Sequence, residues 1–214
     1  MNRVTGAGIT GNDRCAAIIR LHFKENTMPS EKNYFNELYN VCAVINSSLE
    51  PATVLQKIAE QLTSAMGAKA CSIRLLDKSG EVLEHSVAHG LSKGYIRKGK
   101  VEVKKSQLDE EVLSSGKPVY IEDVSRDRRF QYPDAAQAEG LTSVLVAPLK
   151  IDGRAIGVVR VYTAVKQTFS NEDKEFLTAV THRAAIAIEN ARLHQALKSD
   201  YELLTEYNYL VFED

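Results

Sequence analysis

The most constraining feature of this sequence is the run from Glu139 to Tyr162, EGLTSVLVAPLKIDGRAIGVVRVY. Two apolar stretches flank the dipeptide Asp152-Gly153, which favours the tight two-residue turn of a β-hairpin. A helical pattern ending in IAIENARL, from Ile186 to Leu193, follows shortly afterwards. The second half of the chain is therefore predicted to contain a hairpin of two apolar strands followed by a long helix.

The composition is that of an ordinary soluble globular protein, since 44% of the 214 residues are hydrophobic and 26% are charged. The net charge of −1 gives no polybasic surface, so we expect no nucleic-acid partner. No apolar run approaches the ~18 residues that span a bilayer, so we expect no membrane insertion. Cys15, Cys42 and Cys71 form no C-x-x-C pair, which argues against a zinc site and a disulfide framework and fits a cytoplasmic location.

Residues 1–28 show no regular period, and Gly6, Gly8 and Gly11 weaken any helix or strand there. We expect this segment to be a disordered tail, or an untranslated extension if Met28 is the true start. The sequence therefore places one folded domain at residues 30–198 and a helical, aromatic-rich tail at residues 199–214.

Both ends of this domain are predicted to be helical. The first helix, from about Ser30 to Ser48, carries apolar residues at alternating spacings of three and four: Phe35, Leu38, Cys42, Ile45 and Leu49. Such a stripe is typical of a helix that pairs in a coiled coil, but packing on the domain's own sheet produces it as readily. The last helix, capped by Ser170 and Asp173, runs from Asn171 to at least Lys198.

Short strands joined mainly by hairpins lie between these helices. AKACSIRLLD and EVLEHSVAHG flank a turn at Lys78-Ser79-Gly80, and PVYIEDV precedes the central hairpin. Ser106 and Asp109 have capping-box spacing, which predicts the start of the short helix SQLDEEVLSSG. This order predicts an α+β fold with a central antiparallel sheet of about six strands and the terminal helices packed on one face.

Strict alternation along each strand assigns residues to the two faces of the sheet. The face expected to pack on the terminal helices carries Cys71, Ile73, Leu75, Leu83, His85, Val87, Val144, Val146, Val159 and Val161. The other face is mixed, with Ser72, Arg74, Leu76, Glu84, Ser86, Ser143, Leu145, Ala147, Ile156, Val158 and Arg160. Segments between Tyr95 and Leu141 are expected to cover the mixed face, and a partly apolar face beneath loops predicts a small-molecule pocket.

From about Tyr34 to Leu193 the order of elements resembles a GAF domain, a small sensory module. The phrases that carry the resemblance are CSIRLLDKSG, HGLSKGY, SSGKPVYIEDV, the loop from Asp127 to Tyr132, EGLTSVLVAPL, IGVVRVY and IENARL. The resemblance implies a GAF/PAS-like sheet with a ligand cavity under loops and short helices, and dimerisation through the first and last helices. Because few residues follow Leu197, we expect a stand-alone GAF protein whose output is a partner protein.

The resemblance implies ligands such as cyclic nucleotides, tetrapyrroles, haem or amino acids, but the residues that identify them are missing. No cysteine or histidine lies between Gly90 and Glu139 to attach a bilin, and the Asn-Lys-Phe-Asp-Glu set of cyclic-nucleotide domains is absent. His85 and His89 are haem-ligand candidates by residue type, although His85 is expected to be a buried structural residue. No recognised metal-ligand spacing is present, so the cofactor is left unassigned.

The residues expected near a ligand are Ser72, Arg74, Tyr95, Asp123, Phe130, Tyr132, Ser143 and Arg160. The two arginines suit a carboxylate or phosphate, and the aromatic side chains of the covering loop suit an aromatic ring. A structural role stays open for each of them, such as a cross-strand ion pair between Arg74 and Glu84. The dimer interface is expected at Phe35, Leu38, Cys42, Ile45, Ile186, Leu193 and Leu197.

Three functions follow from these patterns. The first is a signal-transduction sensor of the bacterial type that binds a small molecule, forms a homodimer and acts through a partner protein. The second is a dimerisation scaffold that binds no small molecule and uses its terminal helices and the YNYLVF tail. The third, a thiol-based methionine sulfoxide reductase, ranks last because the cysteines do not lie in predicted pocket loops, and we expect no enzyme activity.

Overall fold

The computed structural model describes residues 34–45 and 50–211, with side chains at 34–43, 50–199, 201 and 202. The predictions for residues 1–28, for Leu49 and for the side chain of Ile45 lie outside these described parts. The helices are α1 Tyr34–Ile45, α2 Pro51–Ala65, α3 Lys93–Ile96, α4 Gln107–Ser115, α5 Pro133–Ala138 and α6 Asn171–Val211. The strands are β1 Ala70–Leu76, β2 Val82–His89, β3 Val101–Glu102, β4 Val119–Ile121, β5 Ser143–Ile151 and β6 Arg154–Thr163, with a 3-10 turn at Val103–Lys105.

The predicted α+β architecture is confirmed. The six strands form one sheet in the order β3-β2-β1-β6-β5-β4, and every neighbouring pair is antiparallel. Helices α1, α2 and α6 pack on one face, and α3, α4 and α5 contribute buried residues to a second cluster on the other. We call the segment from α3 to α5, residues 93–138, the roof.

The hairpin between β5 and β6 turns at the predicted dipeptide. Asp152 and Gly153 both adopt positive φ, 49° and 79° respectively. This left-handed backbone at both turn positions is what the right-handed twist of two adjoining strands requires, and Asp-Gly supplies it at little steric cost. The turn places the longest strands of the sheet side by side, with β6 central in the sheet.

The start of α6 is held by the reciprocal cap that the sequence predicts. The backbone N–H of Asp173 donates to Ser170 Oγ at 3.1 Å, and the backbone N–H of Ser170 donates to Asp173 Oδ2 at 2.8 Å. Tyr34 also donates its hydroxyl to Asp173, and its ring stacks on Phe176 with 4.2 Å between centroids. The cap therefore also anchors α1 to the first turn of α6.

The predicted face of β2 is wrong at its first half. The register of β1 against β2 shifts after Ile73, so that Ile73 pairs with Val87 while Arg74 pairs with His85. This β-bulge uses one extra residue, Ser86, and reverses the alternation. Val87 faces the helices as predicted, whereas Leu83 and His85 share the roof side with Arg74. Glu84 pairs with Leu75 and is exposed on the opposite side, so the predicted ion pair between Arg74 and Glu84 does not form.

The predicted face of β5 is also wrong. Val144 and Val146 pair with Tyr162 and Arg160, which places them on the roof side. Leu145 and Ala147 pack in the helix-side core instead. Ile156 of β6 packs there too, at the point where the register of β5 against β6 shifts after Leu149. Because β5 is buried on both faces from Ser143 to Leu149, its apolar run contains no polar residue that marks a solvent side. Ser143 consequently lies on the helix side at the sheet edge.

Among the described residues, no helix combines the length and the apolar character needed to cross a bilayer.

Gly157 on β6 pairs with Leu75 on the neighbouring strand β1, close to the β1 backbone. A Cβ atom at this position would lie 2.3 Å from the carbonyl oxygen of Arg74, a distance that only a backbone shift relieves. Gly157→Ala is therefore expected to lower the free energy of unfolding by about 1–3 kcal/mol, measured by urea denaturation. Gly94→Ala is the control, because its Cβ meets only Ser92 Oγ at 3.7 Å. Equal losses of stability for the two substitutions would contradict this account of the close contact between β1 and β6.

Candidate functional site

A second apolar cluster lies between the sheet and the roof, opposite the helix-side core. Its buried members are Ala70, Leu83, Tyr95, Val101, Leu108, Val112, Ile121, Val124, Phe130, Ala136, Leu141, Val144, Val146, Val158 and Tyr162. Five buried polar side chains among the described residues lie on the same side of the sheet or belong to the roof: Ser72, Arg74, Ser106, Asp109 and Arg160. Charged groups inside an apolar layer are costly, so their partners decide what this layer can do.

Arg160 on β6 and Asp109 on α4 form a buried ion pair. Their side chains are 3% and 0% exposed. The guanidinium donates through Nε to Oδ1 at 3.2 Å and through a second nitrogen to Oδ2, a two-pronged contact. Burial alone lowers the pKa of Arg160, but the carboxylate of Asp109 outweighs that effect and raises the pKa above its ordinary value. The pair joins the roof to the centre of the sheet.

The role of Asp109 was missed by the sequence, which assigns it to a capping box with Ser106. That assignment is wrong, because Ser106 makes no side-chain cap bond at the start of α4. Asp109 lies between the buried residues Leu108 and Val112 on the inner face of the helix. The sequence did contain a signal for the ion pair. Asp109 lies beside two apolar positions that face inward, and an arginine was predicted on the facing side of the sheet.

Arg74 on β1 has no such carboxylate partner. Its side chain is 5% exposed, and NH1 donates to the carbonyl oxygen of Leu83 at 3.2 Å. Nε is buried without a hydrogen-bond partner among the described residues. Burial and the positive charge of Arg160 lower the pKa of Arg74 below its ordinary value. A guanidinium in this position is poorly compensated in the ligand-free protein.

Lys98 closes the site from the roof. Its ammonium lies 3.6 Å from the centroid of the Tyr95 ring and donates to the carbonyl oxygen of Tyr95 at 3.2 Å. Burial, together with the positive charges of Arg74 and Arg160, lowers the pKa of Lys98 to about 7. Lys98 was not among the predicted site residues, because a lysine in the Gly- and Lys-rich loop after α3 has the pattern of a solvent-exposed residue.

A crevice too narrow to hold a water molecule lies between the roof and Arg160. Its walls are formed by Lys98, Val101, Ser106, Phe130, Gln131, Tyr132 and Arg160. Among the described residues, four buried side-chain atoms have no hydrogen-bond partner: Ser72 Oγ, Arg74 Nε, Tyr95 Oη and Gln131 Oε1. All four side chains belong to the roof or to the roof side of β1, so unmet hydrogen-bonding capacity is concentrated in this layer.

Six of the eight predicted ligand residues lie in this layer. Ser72, Arg74 and Arg160 come from the sheet, and Tyr95, Phe130 and Tyr132 come from the roof. Tyr132 donates its hydroxyl to the carbonyl oxygen of Lys100 at 2.7 Å.

The other two predicted ligand residues lie away from the crevice. Asp123 accepts hydrogen bonds from the backbone N–H and hydroxyl of Ser125, at 3.1 and 2.6 Å, in the loop after β4. Ser143 donates to the carbonyl oxygen of Glu122 and accepts from the backbone N–H of Gln167 at 2.9 Å. Ser143 therefore links the end of β4 to the segment after β6 at the sheet edge.

The predicted dimer residues divide into two sets. Phe35 is 82% exposed, whereas Leu38 is partly buried against the helix-side core and Cys42 is half-buried. On α6, Ile186, Leu193 and Leu197 are all exposed. The last buried residue of α6 is Ala191, and the described side chains after it are exposed.

The described residues offer little for metal or thiol chemistry. No group of three His, Cys, Asp or Glu side chains among them is placed to hold a metal ion. The thiol of Cys71 is fully buried, and burial raises its pKa. His85, expected to be buried, is exposed on the roof side of the sheet. His89 Nδ1 lies 3.9 Å from Glu60 Oε1.

The sequence matches the model of the GAF domain family over residues 50–188. The chain belongs to the GAF domain family. This match agrees with the six-stranded sheet and with the roofed layer opposite the terminal helices. The limits of 30–198 predicted for the domain stay a prediction. No match to this chain was found among curated proteins.

Solved GAF domains share the fold of this chain. The GAF domain of an Acinetobacter phosphoenolpyruvate-protein phosphotransferase is 23% identical, with a TM-score of 0.63 over 74% of this chain and 94% of that one. The corresponding Coxiella burnetii domain is 18% identical, with a TM-score of 0.68 over 80% and 99%. Free methionine-R-sulfoxide reductase from Neisseria meningitidis, solved with its substrate, is 19% identical, with a TM-score of 0.63 over 75% and 91%. At these identities the similarity concerns the fold.

The buried ion pair generates a stability prediction. Asp109→Asn leaves the Arg160 guanidinium buried without a counter-charge and is expected to lower the free energy of unfolding by about 3–5 kcal/mol. Glu111→Gln is the matched control on α4, because Glu111 pairs with Arg129 at 2.9 Å near solvent and is expected to cost under about 1 kcal/mol. Urea denaturation of both variants provides the comparison. A loss no larger for Asp109→Asn than for the control would show that the pair is not a structural necessity.

Proposed function

We propose that this GAF domain is a signal-transduction sensor that binds a small molecule between the sheet and the roof. The observation that carries the proposal is the concentration of buried, unpartnered polar atoms in that layer, on Ser72, Arg74, Tyr95 and Gln131. Native proteins leave few buried polar groups unsatisfied, and such groups are found where a ligand completes the bonding. The proposal includes no catalytic step.

Binding is proposed to reach the terminal helix through β6. Arg160 faces the roof, while its neighbours Val159 and Val161 face the opposite side and pack in the helix-side core. That core also contains Leu177 and Val180 of α6. A ligand that alters the packing around Arg160 therefore acts on a strand that shares the helix-side core with α6 and lies next to β5, the strand on which α6 packs. The ligand shifts the equilibrium only as far as it binds one arrangement better than the other.

The domain is proposed to form a homodimer through its terminal helices. Ile186, Leu193 and Leu197 follow one another at spacings of seven and four, so they share one side of α6. Leu197 is 69% exposed, and Tyr201 extends the stripe by four residues. An exposed apolar stripe on a helix of 41 residues, about 60 Å long, suits a second copy of the same helix. Output is proposed to pass from this dimer to a partner protein.

A dimerisation scaffold without a ligand is the second candidate. The observation that favours it is the narrowness of the crevice, which has no room for a water molecule, against the roughly 300–1,000 Å³ of pockets for drug-sized ligands. In a scaffold, the roof residues simply pack, and the exposed side of α6 provides the function.

Leu193→Glu combined with Leu197→Glu tests the dimer. Both side chains are exposed, so the domain is expected to keep its melting temperature while the dimer weakens by at least about tenfold in Kd. Size-exclusion chromatography with light scattering measures the mass across a dilution series. Gln195→Glu adds a negative charge on the other side of the helix and is expected to leave assembly unchanged. A double variant that dimerises like the wild type would rule out this helix face as the interface.

Native mass spectrometry tests ligand binding. The purified protein is expected to carry an added mass that is lost on denaturation, because the buried polar atoms of the roofed layer need a partner. A protein of bare mass that also gains no thermal stability from a library of cell metabolites would favour the scaffold.

A further inference from the structure

We propose that the ligand carries a small oxyanion, a carboxylate or a phosphate, that binds Arg74 beneath the roof with Lys98 and Arg160 beside it. This inference rests on the sensor function proposed above and specifies the chemistry of its ligand. It is carried by an imbalance of buried charge in this layer, where Asp109 is the one internal acid among the residues that the structure describes.

The layer contains three basic groups and one acidic group. Arg74, Lys98 and Arg160 influence one another electrostatically, and Asp109 is the carboxylate inside the layer that opposes them. Glu139 also influences Lys98, but it is only partly buried, and its two oxygens accept the backbone N–H and the hydroxyl of Ser92. The site therefore has a surplus of positive charge in the absence of a ligand, which favours an anion and opposes a cation.

Arg74 is the group of this set with a buried N–H that has no hydrogen-bond partner among the described residues. Arg160 already gives two nitrogens to Asp109, and Lys98 donates to the Tyr95 carbonyl. Arg74 is more than nine-tenths buried, its Nε has no partner among the described residues, and its NH1 donates to a neutral carbonyl, that of Leu83. A guanidinium with a free N–H edge binds carboxylate and phosphate groups through paired hydrogen bonds.

Two neutral donors extend the site. Ser72 pairs directly with Arg160 across β1 and β6, and its buried hydroxyl has no partner among the described side chains and backbone. The Tyr95 hydroxyl is buried and unpartnered in the same described region. The crevice beside Arg160 is too narrow to hold even a water molecule, so a ligand enters only when the roof moves outward. The structure therefore favours a compact metabolite with one charged end, because it requires the smallest movement of the roof.

Arg74→Met gives a first test that needs no ligand. The substitution keeps an unbranched side chain and removes the unpaired charge, so the ligand-free protein is expected to melt at a higher temperature than the wild type. Arg126→Met is the matched control, because Arg126 is a surface residue that pairs with Asp123 at 3.5 Å. A fall in melting temperature for Arg74→Met, with no change for the control, would show that Arg74 serves the fold and would overturn the inference.

Isothermal titration and thermal shift with defined probes give the second test. Inorganic phosphate, glycerol 3-phosphate and malonate are compared with the neutral probes glycerol and malonamide, all at millimolar concentration. At least one anionic probe is expected to bind the wild type at least about tenfold more tightly than Arg74→Met, and Arg126→Met is expected to match the wild type. The comparison of variants is essential because phosphate stabilises many proteins non-specifically. Malonate and the two phosphates separate a carboxylate site from a phosphate site.

Proton uptake by Lys98 on anion binding provides a third test. A purely structural role of Arg74 gives no reason for such uptake. Lys98 is faced by the rings of Tyr95 and Tyr132 and by the charges of Arg74, Arg160, Asp109, Glu139 and His85. Its pKa of about 7 leaves it mostly uncharged at pH 8. A bound anion raises that pKa, so titration in buffers of different ionisation enthalpy is expected to show proton uptake that Lys98→Met abolishes.

The outcomes separate this inference from the sensor proposal. If a co-purified ligand has no carboxylate or phosphate and binds Arg74→Met as well as the wild type, the oxyanion inference fails and the sensor proposal stands. If no anionic probe distinguishes the wild type from Arg74→Met, the oxyanion inference also fails. If, in addition, neither a co-purified mass nor a metabolite-induced shift is found, the sensor proposal fails as well.

Discussion

The ion pair between Asp109 and Arg160 is the contact on which the rest of the structure depends. It connects α4 of the roof to β6 at the centre of the sheet, inside a layer that excludes water. Either charge alone in that layer would be strongly unfavourable, so the two elements are held together more firmly than apolar packing requires. The position of the roof over the sheet, and with it the shape of the crevice, follows from this one contact.

The fold could be predicted from the sequence wherever a local rule and the tertiary structure agree. The Asp152-Gly153 turn and the Ser170–Asp173 cap involve residues close in sequence, and both form as expected. The face of β5 could not be predicted, because both of its faces are buried and its apolar run has no period. The bulge at Ser86 was equally hidden, since one inserted residue leaves no compositional trace.

The site was predictable as a region and not as a set of contacts. The arginines of β1 and β6 were correctly placed under the roof because polar residues in apolar strands are conspicuous. The mistake over Asp109 has an energetic reason: a helix cap contributes about 1 kcal/mol, whereas leaving a buried arginine unpaired costs about 3–5 kcal/mol. A contact between residues 51 positions apart therefore outweighed a local motif that looked complete. Lys98 was missed because its burial comes entirely from the folding of the loop that carries it.

Strand β6, which carries Arg160 of the charged site, also forms part of the helix-side core that contains residues of α6. On β6, Arg160 faces the roof, and Val159 and Val161 pack in the helix-side core that also contains Leu177 and Val180 of α6. An uncompensated Arg74 next to that strand lowers the stability of the ligand-free state, which is the state that a ligand must be able to change. A site with all its charges already paired would give a ligand little free energy with which to shift the packing of α6. In the proposed sensor, the charge imbalance under the roof is the physical basis on which ligand binding is converted into a rearrangement at α6.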